Sequence, residues 1–240
     1  MTPEEPSEAN LVFRGSLPSA AQRWLDRALP QHVDLPSSIR IEQEGSLEAR
    51  GRWSPFKATG IYTASPLAFN WRARLRMLPG LWLVAEDGHE GGQGWGGARL
   101  WGIVSMGQRT DPQVLKAQLV RNLGELPWLP SFALSDSTLT WADVGETLFE
   151  VRCSAAGEEA LVRFEIDAQG DVIRAHSPSR PYDLPDGYAE APWHYQFSDH
   201  REFGGVRIPA AAVATFEKDD GPWEYFRARI TSVTYEPPAR

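Results

Sequence analysis

Between Phe69 and Met77 every second residue is apolar: Phe69, Trp71, Ala73, Leu75 and Met77 fall on one side, and Asn70, Arg72, Arg74 and Arg76 on the other. A period of two marks a half-buried β-strand, here with a greasy face toward a core and an arginine ladder on the reverse. The same rhythm runs through the neighbouring segments. From Ser38, Ile39 and Ile41 alternate with Arg40 and Glu42, and after the bend Trp53-Ser54-Pro55-Phe56 a second strand over 57–63 puts Phe56, Ala58, Gly60 and Tyr62 on one side. Ser65-Pro66 and Leu78-Pro79-Gly80 are turn signals, and Leu81 to Ala85 is apolar enough to be covered on both faces. Six glycines between Gly88 and Gly97, followed by the apolar run Leu100-Trp101-Gly102-Ile103-Val104, predict a hairpin with a loose tip.

Two segments break the alternation. Ala20 to Leu29 places Trp24, Ala28, Leu25 and Leu29 on one stripe, with Ser19 as a cap and Pro30 as a stop, which predicts a short amphipathic helix. Asp111-Pro112 opens a second one, with Asp as the cap and Pro in the first turn, and Gly124 ends it. The next stretch, Leu126-Pro127-Trp128-Leu129-Pro130, cannot extend a helix. Its two prolines hold Trp128 and Leu129 on a preset backbone, either to close one end of the core or as a lid or plug near the mouth of a sheet requires. From Thr138 onward the chain reads as a meander: strands over 138–144, 147–154, 160–167 and 172–176, a proline-rich loop over 177–192, and further strands from Trp193 to Phe203 and from Val206 to Tyr235.

The sum is an α+β, mostly β chain: a strongly curved antiparallel sheet or half-barrel of about ten to eleven strands wrapping two short helices. Residues 1–16 read as a flexible tail and 17–240 as a single domain, with no internal repeat or linker.

Charge and composition narrow the function. The formal net charge of -8 disfavours nucleic acid and anionic surfaces as general partners. The single Cys153 excludes an internal disulfide. The acidic amino terminus lacks a basic flank and apolar core, and no long apolar run follows, so the reading is a cytoplasmic chain with no membrane span.

Chemistry-bearing clusters are few. Asp87, His89 and Glu90 beside the glycine-rich turn, with His194 or His200, lack the tight pairs of a zinc site, and a solvated hairpin tip explains them. His194, Ser198, Asp199 and His200 have no nucleophile elbow, and alternation points His194, Ser198 and His200 away from Trp193, Tyr195 and Phe197 toward water. The glycines have neither the helix nor the Lys of a phosphate loop. The chain is therefore expected to act without a cofactor, and the reading leans away from an enzyme.

The aromatic inventory suggests instead a concave face that holds a lipophilic or acyl-chain ligand. Its candidate lining residues are Phe56, Phe69, Trp71, Leu75, Met77, Trp101, Trp128 and Tyr195, with methionines lending the wall plasticity. Arg72, Arg74 and Arg76, with Arg227 and Arg229 as neighbours, are candidate contacts for an anionic group, or else a solvated face paired with Glu42, Glu44 or Glu224. The alternative is a protein-interaction or structural module using the sheet edge or this arginine-rich face.

Several stretches carry a resemblance. Leu17-Pro18 with Arg23-Trp24-Leu25, Trp53 to Ala58, the alternating run Phe69 to Met77, Trp128-Leu129-Pro130, and Phe197 to Glu202 ending in Val206-Arg207-Ile208-Pro209 resemble a bacterial family of unknown function across most of residues 17–235. The strand-turn-strand at 199–209 is also similar to a hairpin in carriers of the lipoprotein-localisation type. That similarity implies an open β half-barrel holding acyl chains around a helix.

Overall fold

Alternating segments become strands that pair with their neighbours in sequence, in a computed structural model that describes residues 12–31, 35–49, 51–64 and 66–237. Most of the expected tail, and Ser65 of the Ser65-Pro66 turn, lie outside the described residues. The strands are β1 (Ser38–Ala49), β2 (Arg52–Thr63), β3 (Ala68–Leu78), β4 (Leu81–Glu90), β5 (Gln93–Leu100), β6 (Val104–Arg109), β7 (Thr140–Gly145), β8 (Leu148–Ala155), β9 (Glu158–Ile166), β10 (Val172–Leu184), β11 (Gly187–Phe203), β12 (Val206–Lys218) and β13 (Gly221–Glu236). They form one antiparallel sheet of thirteen strands in the order β6-β5-β4-β3-β2-β1-β13-β12-β11-β10-β9-β8-β7. The helices are α1 (Ser19–Ala28), α2 (Pro112–Gly124) and the single turn α3 (Phe132–Ser135).

The strand count exceeds the ten to eleven expected from sequence for one local reason, and two of the expected strands are longer for another. The apolar run Leu100 to Val104 is not one strand, because a tight turn at Trp101-Gly102 splits it into the end of β5 and the start of β6. The proline-rich loop over 177–192 is instead the paired ends of β10 and β11. The ladder skips between Ser177/Trp193 and Arg180/Ala191, so Pro178 and Pro192 sit where no ladder hydrogen bond is needed.

α2 is the axis of the curl. It packs on β4 and β5 and also on β8, β9 and β10. Those groups stand on opposite flanks of the sheet order, so the sheet bends until both flanks reach the same helix. The predicted cap holds: the Asp111 carboxylate accepts from the backbone of Gln113 and Val114, at 3.0 and 3.3 Å. The helix ends against aromatic rings, since a Cβ at Gly124 would sit 2.7 Å from the Trp193 ring. α1 has Pro18 rather than Ser19 at its cap position, and it buries its predicted stripe against β7, β8 and β12, with Trp24 stacked on Phe149 at 5.7 Å.

Candidate functional site

The inner, helix-bearing face holds most of the aromatic residues singled out above. Phe69, Trp71, Trp128 and Tyr195 are buried in one core cluster with residues of α2 and the 3-10 turn Leu126–Trp128, and Trp128 packs on Tyr195 at 5.6 Å. Trp128 therefore fills the core rather than standing at a mouth. A ligand in this hollow would have to displace the chain's own side chains.

A polar network runs through the same space. Glu125, fully buried at the end of α2, accepts from Tyr62 at 2.8 Å, Tyr195 at 3.1 Å and Arg121 Nε at 2.8 Å. Arg121 continues to Asp87 at 2.8 Å and lies over the Trp71 ring at 4.7 Å. Burial, and then the Glu125 carboxylate beside them, holds the Tyr62 and Tyr195 phenols well above their ordinary range. The Nε2 atom of His89 meets Asn122 Nδ2 at 2.8 Å, and burial pulls the pKa of the imidazole down to about 4. Sequence reading singled out neither Arg121 nor Glu125. Their only signal was the four-residue spacing of opposite charges at a helix end.

The opposite, helix-free face carries an open groove of about 1000 Å³. Register explains its lining. One cross-strand row is Ala211, Arg229, Glu44, Lys57 and Arg74, and a second includes Val213 and Arg227. Between these rows runs an inward-pointing row of Ala212, Ala228 and Gly45, with almost no side chain, and the Phe56 that continues it is buried on the inner side. Register shifts at Glu42/Gln43 and Ala214/Thr215 bend the same strands. The turn after β3 closes one end with Leu78, Leu81 and Trp82.

This groove is apolar below and cationic at its rim. Five basic side chains, Lys57, Arg74, Arg76, Arg227 and Arg229, face one acid, Glu44. Arg227 pairs with Glu224, and Arg229 with Asp199. Lys57, Arg74 and Arg76 have no ion-pair partner among the described residues, and Arg74 lies over the Trp82 ring at 4.3 Å. Arg72 stands apart from the groove, paired with Glu86 at 3.4 Å rather than with Glu42, Glu44 or Glu224. Of the predicted site residues the groove thus brings together Arg74 and Arg76, while Phe56, the cross-strand partner of Leu75, is buried on the inner side against Trp71 and Phe226. Leu75 and Met77 point to the inner side, where Leu75 is buried and Met77 half-buried.

Trp101 belongs to neither place. It occupies the β5–β6 turn with φ of 51°, followed by Gly102 at 74°, and Ile103 N donates to Leu100 O at 3.0 Å. A bulky side chain in the left-handed region costs roughly 1–2 kcal/mol where Asn or Gly would be nearly free. Its indole donates to Gly80 O at 3.1 Å, which ties this tip to the β3–β4 turn.

The remaining clusters do not assemble. Among the described residues no group of three His, Cys, Asp or Glu is placed to hold a metal ion. His194 is buried rather than facing water, 3.5 Å from Glu217, while His200 is half-buried against Val172 O at 3.0 Å. Burial draws both imidazoles below their ordinary pKa. Cys153 is half-buried, and burial pushes its thiol up to about 12, so it is a poor nucleophile.

The chain matches over residues 10–228 the model described as Family of unknown function (DUF6544), and it belongs to that family. No curated protein matches it. Solved structures similar to it include a LolA superfamily protein from Nitrosomonas europaea, at 8% identity and a TM-score of 0.47, covering 92% of this chain and 94% of that one. A DUF1329 family protein from Desulfovibrio piger is similar at 10% identity and a TM-score of 0.48, again covering 92% and 94%.

Proposed function

We propose that this DUF6544 member binds, without catalysis, an amphiphile that joins an acyl-type chain to an anionic head, and that the groove on the helix-free face is the site. The observation that carries the reading is the pairing of an apolar floor with unpartnered cations in one cleft. Its volume of about 1000 Å³ lies at the top of the roughly 300–1,000 Å³ range of ligand clefts. Pro55, Leu81, Trp82 and Val213 offer the chain an apolar bed. Arg74 and Arg76 offer guanidinium forks that grip a carboxylate or phosphate in two places, with Lys57 as a point charge beside them. Nothing in the groove resembles a nucleophile with an activating base, so the reading is binding and release.

Calorimetric titration with dodecanoate, dodecyl phosphate and dodecanol tests it. The two anions are expected to bind at least about tenfold more tightly than the alcohol, because charge-assisted hydrogen bonds are the stronger ones. Arg74→Glu with Arg76→Glu should abolish the difference. Failure of both anions to bind, or unchanged affinity in the double variant, would refute the site.

A further inference from the structure

The β5–β6 tip carries an apolar cluster that the core does not use. Ile103 is 83% exposed, Met106 62%, Val104 51% and Trp101 45%, and across the Trp101–Gly80 hydrogen bond Leu78 is 54% exposed. Folding gains little from these side chains, and leaving them in water serves no packing role. Trp101 is further held in a backbone conformation that disfavours it, at the one position of the turn where a small polar residue would be easier.

The charge around the tip is also set apart from the rest of the chain. From Ala73 to Ala85 and from Gly91 to Thr110 there is no carboxylate, while Arg74, Arg76, Arg99 and Arg109 are all present. Arg99 pairs with Glu86 at 3.2 Å and Arg109 with Asp183 at 3.0 Å, so the positive charge left beside the tip is that of Arg74 and Arg76. An indole among aliphatic side chains, with Arg74 and Arg76 beside it, matches the water–lipid boundary, where Trp prefers to sit and anionic headgroups attract basic side chains.

We propose that this tip docks the protein on an anionic lipid surface: Trp101, Ile103, Val104, Met106 and Leu78 enter the interface, and Arg74 and Arg76 meet the headgroups. The occupant is a bilayer rather than a protein, because the exposed residues project from a turn and an edge strand, and the charges beside them that lack an ion-pair partner among the described residues, Arg74 and Arg76, are positive. No helix among the described residues is long and apolar enough to cross a membrane, so the contact is peripheral. The proposal shares Arg74, Arg76 and Leu78 with the groove, whereas its apolar contact rests on Trp101, Ile103, Val104 and Met106, which do not line it. The tip and groove share the Leu78-Pro79-Gly80 turn, so docking would set the groove beside the headgroup layer.

Co-sedimentation with vesicles of phosphatidylcholine, alone or mixed with phosphatidylglycerol, tests the proposal on the full chain at low salt. The wild type is expected to pellet with the mixed vesicles, to stay in solution with phosphatidylcholine alone, and to be released by salt. Ile103→Asp with Met106→Asp, both exposed and therefore compatible with folding, should reduce the pelleted fraction at least about tenfold. The same variant should bind dodecanoate as the wild type does, since neither residue lines the groove, so failure of docking and failure of the groove reading are told apart. Equal pelleting of wild type and variant, or a wild type that never pellets, overturns the proposal. So does a wild-type dimer in gel filtration that the variant dissociates without any vesicle binding, which would assign the tip to a second copy of this chain.

Discussion

His89 gives the sharpest quantitative test of the inner face. It is 3% exposed, with its Nε2 against the Asn122 amide and its ring edge-on to Phe69 at 5.5 Å. Burial holds its pKa near 4 against an ordinary 6.5, so the folded protein excludes a proton that the unfolded chain accepts. Stability is then full above the unfolded value, falls as pH drops through the window from 6.5 to about 4, and changes no further below it. At about 1.4 kcal/mol per pH unit the full loss is about 3 kcal/mol, of which about 2 kcal/mol is gone near pH 5. Urea unfolding at a series of pH values, for the wild type and His89→Gln, isolates this contribution. Gln keeps an acceptor for Asn122 and does not titrate, so the wild-type stability should fall more steeply by about 2 kcal/mol between neutrality and pH 5. Carboxylates held below their ordinary range by arginines, such as Glu150 and Asp171, add an acid loss at lower pH that both proteins share. Parallel curves for the two proteins, or an imidazole that titrates by NMR near its ordinary value, would sink the reasoning.

Two further outcomes follow from the packing. Glu125→Gln removes the carboxylate that Tyr62, Tyr195 and Arg121 share and should lower unfolding free energy by roughly 3–5 kcal/mol in denaturant titration; a loss below about 1 kcal/mol would mean that Arg121 is not held by this pair. Gly45→Ala places a Cβ 1.9 Å from the Arg227 carbonyl oxygen, so β1 must move away from β13. A drop of roughly 1–3 kcal/mol is expected by thermal unfolding, and an unchanged melting point would show that the two strands are not so closely applied there.

How much of this was legible in the sequence depends on whether a feature is local. The alternation of Phe69 to Met77 assigned inner and outer residues correctly because period two is a property of the strand itself. The Asp111-Pro112 start of α2 was legible for the same reason. The turn at Trp101-Gly102 was hidden because Trp rarely takes a left-handed position, so an apolar run looked continuous. The prolines at 178 and 192 read as loop because a bulge that excuses them depends on the partner strand. The groove was legible only in its arginines, since Arg74, Arg76, Arg227 and Arg229 were expected as neighbours. It depends on Arg74, Lys57 and Arg229 arriving side by side, and on three small residues aligning across strands whose order a single chain does not announce. Reading an aromatic face as a ligand-lined hollow failed to count the volume that Arg121, Glu125 and Trp128 bring with them.

The pairing of β1 with β13 has a kinetic consequence. Each of the other ladders joins strands consecutive in the sequence and closes by a short turn, whereas this one brings Ser38 against Glu236. Closing a loop of that length carries a chain-entropy cost of roughly 4–5 kcal/mol, against far less for a hairpin. The two ribbons, β1–β6 and β7–β13, can therefore grow independently from their own turns, and the seam between them forms late. Until it does, both ribbons present unpaired strand edges, so the most aggregation-exposed moment in the life of this protein lies just before its first and last strands meet.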